Sequence, residues 1–246
     1  MRRWLGVGLL LGGAVWAAPV PITHGSRHRP QIALTFDADM TPGMLQNLQS
    51  GRVKSYNPAE LYRLLEQHRV KATFFLSGLW MEAYPEQSRR MAQNPLFELE
   101  NHSYSHPAFA QPCYGLPTVQ AAEKATEIRK AQRLLESLGV NNRYFRFPGG
   151  CYGPDDLALV KRLGLQVVHW DAAGEDGGQT NPEVIVHNVL SRVQNGSIVV
   201  LHSQGGPRLP ATLPALRRLI PALQARGYTF VKVSELLAEP GGASTR

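Results

Sequence analysis

Cysteine is scarce in this 246-residue chain: Cys113 and Cys151 are the only two. They lie too far apart for a Cys-x-x-Cys metal site, which leaves a disulfide or two separate thiols. Long apolar runs are scarce as well. The apolar stretch from Trp4 to Ala14 is too short to cross a bilayer comfortably and runs into Ala18-Pro-Val-Pro21. Basic residues outnumber acidic ones, for a formal net charge of +7, yet no cluster of Lys and Arg is interleaved with aromatics. That absence argues against nucleic acid as a partner, while a basic balance suits an anionic cell wall and is also ordinary for a soluble protein.

What is present begins with a leader. Met1-Arg-Arg3 is basic, the stretch after it is apolar, and Val15-Trp-Ala17 places small residues where a signal peptidase reads them. Residues 1–17 are therefore expected to be a signal peptide cleaved after Ala17, with a retained anchor as the alternative. An exported protein follows, periplasmic, wall-associated or secreted, and in that setting a cysteine pair suits a disulfide. Residues 18–30 read as a linker, 31–238 as one catalytic domain and 239–246 as a flexible tail.

From Gln31 onward, short β-rich runs alternate with amphipathic helical segments. Strands are expected at 31–36, 72–76, 96–100, 144–147, 166–170, 197–201 and 229–233. Helices are expected from the signal Asn57-Pro-Ala-Glu60, over 118–138, over 155–163 closed by Gly164, over 181–193 opened by Pro182, and over 213–226 closed by Gly227. About seven β/α units with no second domain suggest an α/β fold closing as a parallel barrel.

In such a barrel, the working groups project from the C-terminal ends of the strands. Asp37, Asp39, His102, His106, Arg146, Asp171 and His202 all fall at or just beyond an expected strand end. His102-Ser-Tyr-Ser-His106 is the most pointed of these, since on a helical turn that spacing aims both imidazoles at one point, as a divalent metal requires. The pair alone would equally suit a solvated helix face. Thr35-Phe-Asp37-Ala-Asp39 adds hard oxygen ligands and a possible general base.

Assembled, these strings resemble the polysaccharide deacetylases of NodB homology, metal-dependent carbohydrate esterases with a distorted (β/α) barrel. The resemblance spans Gln31 to Leu237. It rests on Thr35-Phe-Asp37, Lys71-Ala-Thr-Phe-Phe-Leu76 with Gly78, Asn101 to Pro107, Arg146-Phe-Pro148-Gly-Gly150, Gly196 to His202, and Gly227 to Leu236. It implies Asp37 as catalytic base, His102 and His106 as metal ligands, Arg146 as the clamp on the base, and the Gly149 N–H as oxyanion donor. It further implies His202 as the acid that protonates the leaving amine and Asp171 as the carboxylate that orients it. The family usually has two adjacent Asp where Ala38 intervenes here, so Asp39 becomes the expected carboxylate ligand. The string from His169 to Asp176 also departs from the family pattern.

By this resemblance the cofactor is a divalent metal, with Zn²⁺ favoured by mixed imidazole and carboxylate ligands. The substrate class is an N-acetylglucosamine polymer, whether peptidoglycan, chitin-like chains or poly-N-acetylglucosamine. An O-acetyl esterase and a non-catalytic, metal-retaining wall-binding barrel remain alternatives. A glycosidase using paired carboxylates would leave the His residues without a role. Cys113 follows His106 by seven residues and Cys151 directly follows the oxyanion loop, so the two are expected to be bridged at the barrel mouth.

Overall fold

The computed structural model describes residues 19–203 and 211–238. The expected leader and tail lie outside the described residues. Eight strands form one parallel sheet: β1 (Gln31–Ala38), β2 (Ala72–Leu76), β3 (Phe97–Asn101), β4 (Tyr144–Phe145), β5 (Gln166–Val167), β6 (Ala172–Ala173), β7 (Ile198–His202) and β8 (Thr229–Phe230). Their order is β5-β4-β3-β2-β1-β7-β6, with β8 paired to the start of β1. The sheet curls into the expected distorted (β/α) barrel.

Among the described residues nine α-helices accompany these strands: α1 (Pro42–Gln49), α2 (Ala59–Gln67), α3 (Gly78–Ala83), α4 (Pro85–Gln93), α5 (Lys124–Ser137), α6 (Pro154–Arg162), α7 (Pro182–Arg192), α8 (Thr212–Ala225) and α9 (Val233–Leu236). α7 starts as its sequence suggests, with Pro182 in the first turn and the Asn181 side chain accepting the Glu183 N–H. α2 starts at Ala59, without the side-chain cap that Asn57 promises. α1, α3 and α4 carry too short an apolar pattern to stand out in the sequence.

β1 is the central strand, covered on both faces, and its near-continuous apolar run reflects that. Alternation divides its side chains. Ile32, Leu34 and Phe36 face the helix layer, where Phe36 stacks on Phe74 at 5.2 Å, while Ala33 joins Phe75, Val168 and Ile198 in a separate cluster. Thr35 and Asp37 share the face of Ala33. The N-terminal segment runs from the edge strand β5 to the start of β7: Ile22 donates to the Val167 carbonyl and accepts from the His169 N–H, and Gly25 donates to the Gly196 carbonyl. Residues 22–25 are thus part of the barrel wall.

Candidate active site

Registry on β1 sets the site. Asp37 lies beside His202 of β7, and Ala38 beside Leu76 of β2. Because side chains alternate, the insertion of Ala38 between the two acids puts Asp37 and Asp39 on one face and turns Ala38 into the core. The spacing that departs from the family pattern therefore still delivers two carboxylates to one place.

Arg146, fully buried just beyond β4, holds the first of them. Its Nη1 donates to Asp37 Oδ1 at 2.7 Å and to Thr35 Oγ1 at 2.8 Å. Nη2 and Nε donate to the carbonyls of His169 and Val168, and the guanidinium lies 4.0 Å from the Phe75 ring centre. A buried cation with this many acceptors orients its carboxylate rather than merely neutralising it. Asp37 Oδ2 is left facing the imidazoles, 3.7 Å from His102 Nε2.

Asp39 stands at the centre. Its Oδ1 lies 3.4 Å from His102 Nε2 and 3.2 Å from His106 Nε2. One ligand atom from each of the three residues falls within 4.8 Å of the others, a spacing that fits a single metal ion. The tautomer fits as well: His102 Nδ1 lies 2.8 Å from the Arg146 carbonyl, which can only accept, so Nδ1 carries the proton and Nε2 offers its lone pair. Burial works to raise the Asp39 carboxyl, but His106 and His102 outweigh it and hold the group well below the ordinary carboxylate range.

The two histidines do not ride on a helical turn. They flank a loop with left-handed backbone at Ser103 and His106, and that loop brings the ring centres to 5.0 Å. Glu127 of α5 ties it down, accepting the N–H groups of Tyr104 and Ser105 and the Ser105 hydroxyl at 2.8–3.0 Å. Gly78 is required beside it, because a Cβ there would meet the Tyr104 ring at 2.2 Å.

His202 closes the third side, with Nε2 4.0 Å from Asp39 Oδ2. Its partner is Asp176, not Asp171. Asp176 Oδ1 lies 2.7 Å from His202 Nδ1, and its other oxygen accepts the His202 N–H and the Thr212 hydroxyl. Burial disfavours the charged ring, but Asp176, helped by Asp39 and Asp37, raises His202 to about 10.

Asp171 is at the wrong end of the strand. It accepts from Arg27, Ser197 and the Ile198 N–H, at the start of β7, whereas His202 is the last residue of that strand. Four residues of strand separate the two by about 13 Å. The cause is an early end to β5: the expected strand 166–170 stops at Val167, and β6 begins after Asp171, so Asp171 precedes a strand and Asp176 follows one. The only signal for Asp176 in the sequence is its place just before Gly177-Gly178.

Gly149 follows Arg146 on the expected loop, with φ +62. A Cβ there would meet Cys113 Sγ at 2.7 Å, so a glycine is needed under the Cys113–Cys151 disulfide, which is formed. The cysteines thus pair as expected, tying the loop after His106 to the loop after Arg146.

A curled parallel barrel with a carboxylate and two imidazoles beside a clamped acid and a carboxylate-paired histidine defines a metal-assisted hydrolase architecture. Residues 24–168 match the polysaccharide deacetylase family model, and the chain belongs to that family. It is 30% identical over 217 residues to a peptidoglycan-N-acetylglucosamine deacetylase of Bacillus cereus, covering 86% of this chain and 70% of that one. It is 34% identical over 185 residues to a chitooligosaccharide deacetylase of Bradyrhizobium sp., covering 70% and 81%. Among solved structures it is similar to a peptidoglycan N-acetylglucosamine deacetylase bound to a substituted N-oxidanyl-benzamide, with TM-score 0.73, 28% identity and coverage of 88% and 92%.

Proposed function

We propose that the protein is a polysaccharide N-deacetylase, hydrolysing N-acetyl groups of an N-acetylglucosamine-containing wall or envelope polymer after export. The observation that carries this reading is the convergence on Asp39: His102, His106 and His202 all turn Nε2 toward its carboxylate, with Asp37 clamped alongside. The activities of the relatives support it.

Asp39, His102 and His106 would hold the metal, and Zn²⁺ suits their mixed donor set. Such an ion, when bound, acidifies water and polarises a carbonyl. Asp37 Oδ2 takes the proton of the attacking water, since Arg146 occupies Oδ1 and holds the other oxygen aimed at the site. The Gly149 N–H donates to the developing oxyanion, a role that needs no side chain. His202, kept protonated by Asp176, gives its proton to the leaving nitrogen, and acetate and a free amine result.

Acetate release from N-acetylglucosamine oligomers by metal-loaded protein tests the reaction. Asp37→Asn is expected to retain the metal and lose turnover by about 10²–10⁴-fold, because an amide cannot accept the proton. Release from acetylated xylan alone would instead make the protein an O-acetyl esterase. Retention of turnover by Asp37→Asn would remove Asp37 from the base role.

A further inference from the structure

The rim of the mouth carries one side chain that the chemistry above does not use. Tyr114 is 89% exposed, the single large aromatic so displayed among the described residues. It occupies a costly conformation: Tyr114 and Gly115 have φ +46 and +74, and the Leu116 N–H donates to the Cys113 carbonyl, which together make a tight turn of the kind that favours Asn, Asp or Gly at its first central position. A bulky ring there is a strained choice that nothing in its own packing explains.

The turn that holds it is rigid. Cys113 is buried and bonded to Cys151. The Gln111 side chain accepts the Cys113 N–H and donates to the Leu116 carbonyl and the Thr118 hydroxyl. The ring stands directly beside the Gly149 loop, where a Cβ on Gly149 would lie 3.2 Å from Tyr114 Cδ2. An aromatic face fixed in water, next to the loop that follows Arg146, has the properties of a platform for the apolar face of a sugar ring.

We propose that Tyr114 forms a binding subsite for a pyranose unit of the polymer adjoining the unit that is deacetylated. The ring stacks on the C–H face of that sugar, its hydroxyl stays in water, and the disulfide pays the ordering cost before the polymer arrives. The subsite rests on the polysaccharide reading given above and adds to it a residue that selects chains over single sugars.

Steady-state acetate release from a five-unit N-acetylglucosamine oligomer by metal-loaded protein tests it. Tyr114→Ala is expected to raise KM by about 3- to 10-fold with kcat held within about twofold, the size of one lost aromatic contact, and Tyr114→Trp to restore the original KM. An unchanged KM in Tyr114→Ala overturns the subsite. So does a fall in kcat and thermal midpoint with KM held, which would assign the residue to the integrity of the loop. If the unmodified protein releases no acetate, the deacetylase reading fails instead. Calorimetric binding of the same oligomer then decides the subsite separately: weaker binding to Tyr114→Ala supports it and equal binding overturns it.

Discussion

On one side of the barrel mouth the site groups belong to strands of five to eight residues or to the loops after them; on the other they sit on loops that follow strands of only two residues. Asp37, Asp39 and His202 are aimed by alternation and registry, so their positions follow from counting along β1 and β7. Gly149 and Asp176 are placed by contacts that reach across the chain: a disulfide spanning 38 residues, and hydrogen bonds from His202 and Thr212 at 26 and 36 residues. A long paired strand carries its own ruler, whereas a two-residue strand needs its neighbours to say where it begins.

The sharpest way to break this comparison is to attack the strand-built side. His102→Ala or His106→Ala is expected to weaken metal binding by more than about 100-fold and to abolish acetate release, since even outer-shell changes cost 10–100-fold. The fold should persist, because both ligands lie beyond β3 rather than in the apolar core. Metal titration of the purified variants checks it, and full occupancy in either would falsify the ligand assignment.

Smaller in size, but more telling about the loop-built side, is a paired exchange of the two acids. His202 must be protonated to act as an acid, and Asp176 raises its pKa, so activity should persist as pH rises through neutrality and fall only above it. Asp176→Asn removes the raising partner and is expected to move the descending limb of the pH–activity profile to lower pH. Asp171→Asn should leave that limb in place and lower thermal stability instead, through loss of the contact with Arg27. The opposite pattern would return the orienting role to Asp171.

The smallest effect on turnover is expected at the disulfide. Cys113→Ser should cost about 3–4 kcal/mol of stability, as expected for opening a loop of this length, and should reduce acetate release by loosening the loop that carries Gly149. Denaturant unfolding of non-reduced protein measures the first. Equal stability of the variant and the parent would show that the bond does not brace this side of the mouth.

Much of this molecule is legible in its sequence of residue types. Short apolar runs mark β1, β2, β3 and β7, the Asn181-Pro182 start marks α7, and the motif order points to Asp37, Asp39, His102, His106, Arg146 and His202, which the fold does bring to one place. Asp37 and His202 are placed by local periodicity along long strands, whereas His106 and Arg146 stand on loops and are legible only through the motifs they belong to. Tertiary structure alone decided the rest. It ended β5 at Val167, gave Asp171 to Arg27 from 144 residues away, and turned Asp176 toward His202. It replaced the expected helical turn between the two histidines with a loop anchored by Glu127, and it left Tyr114 exposed on a disulfide-held turn. In each case the deciding partner is distant in sequence, and a side chain's partner across a loop is set by the folded surroundings, of which a linear pattern of residue types carries no record.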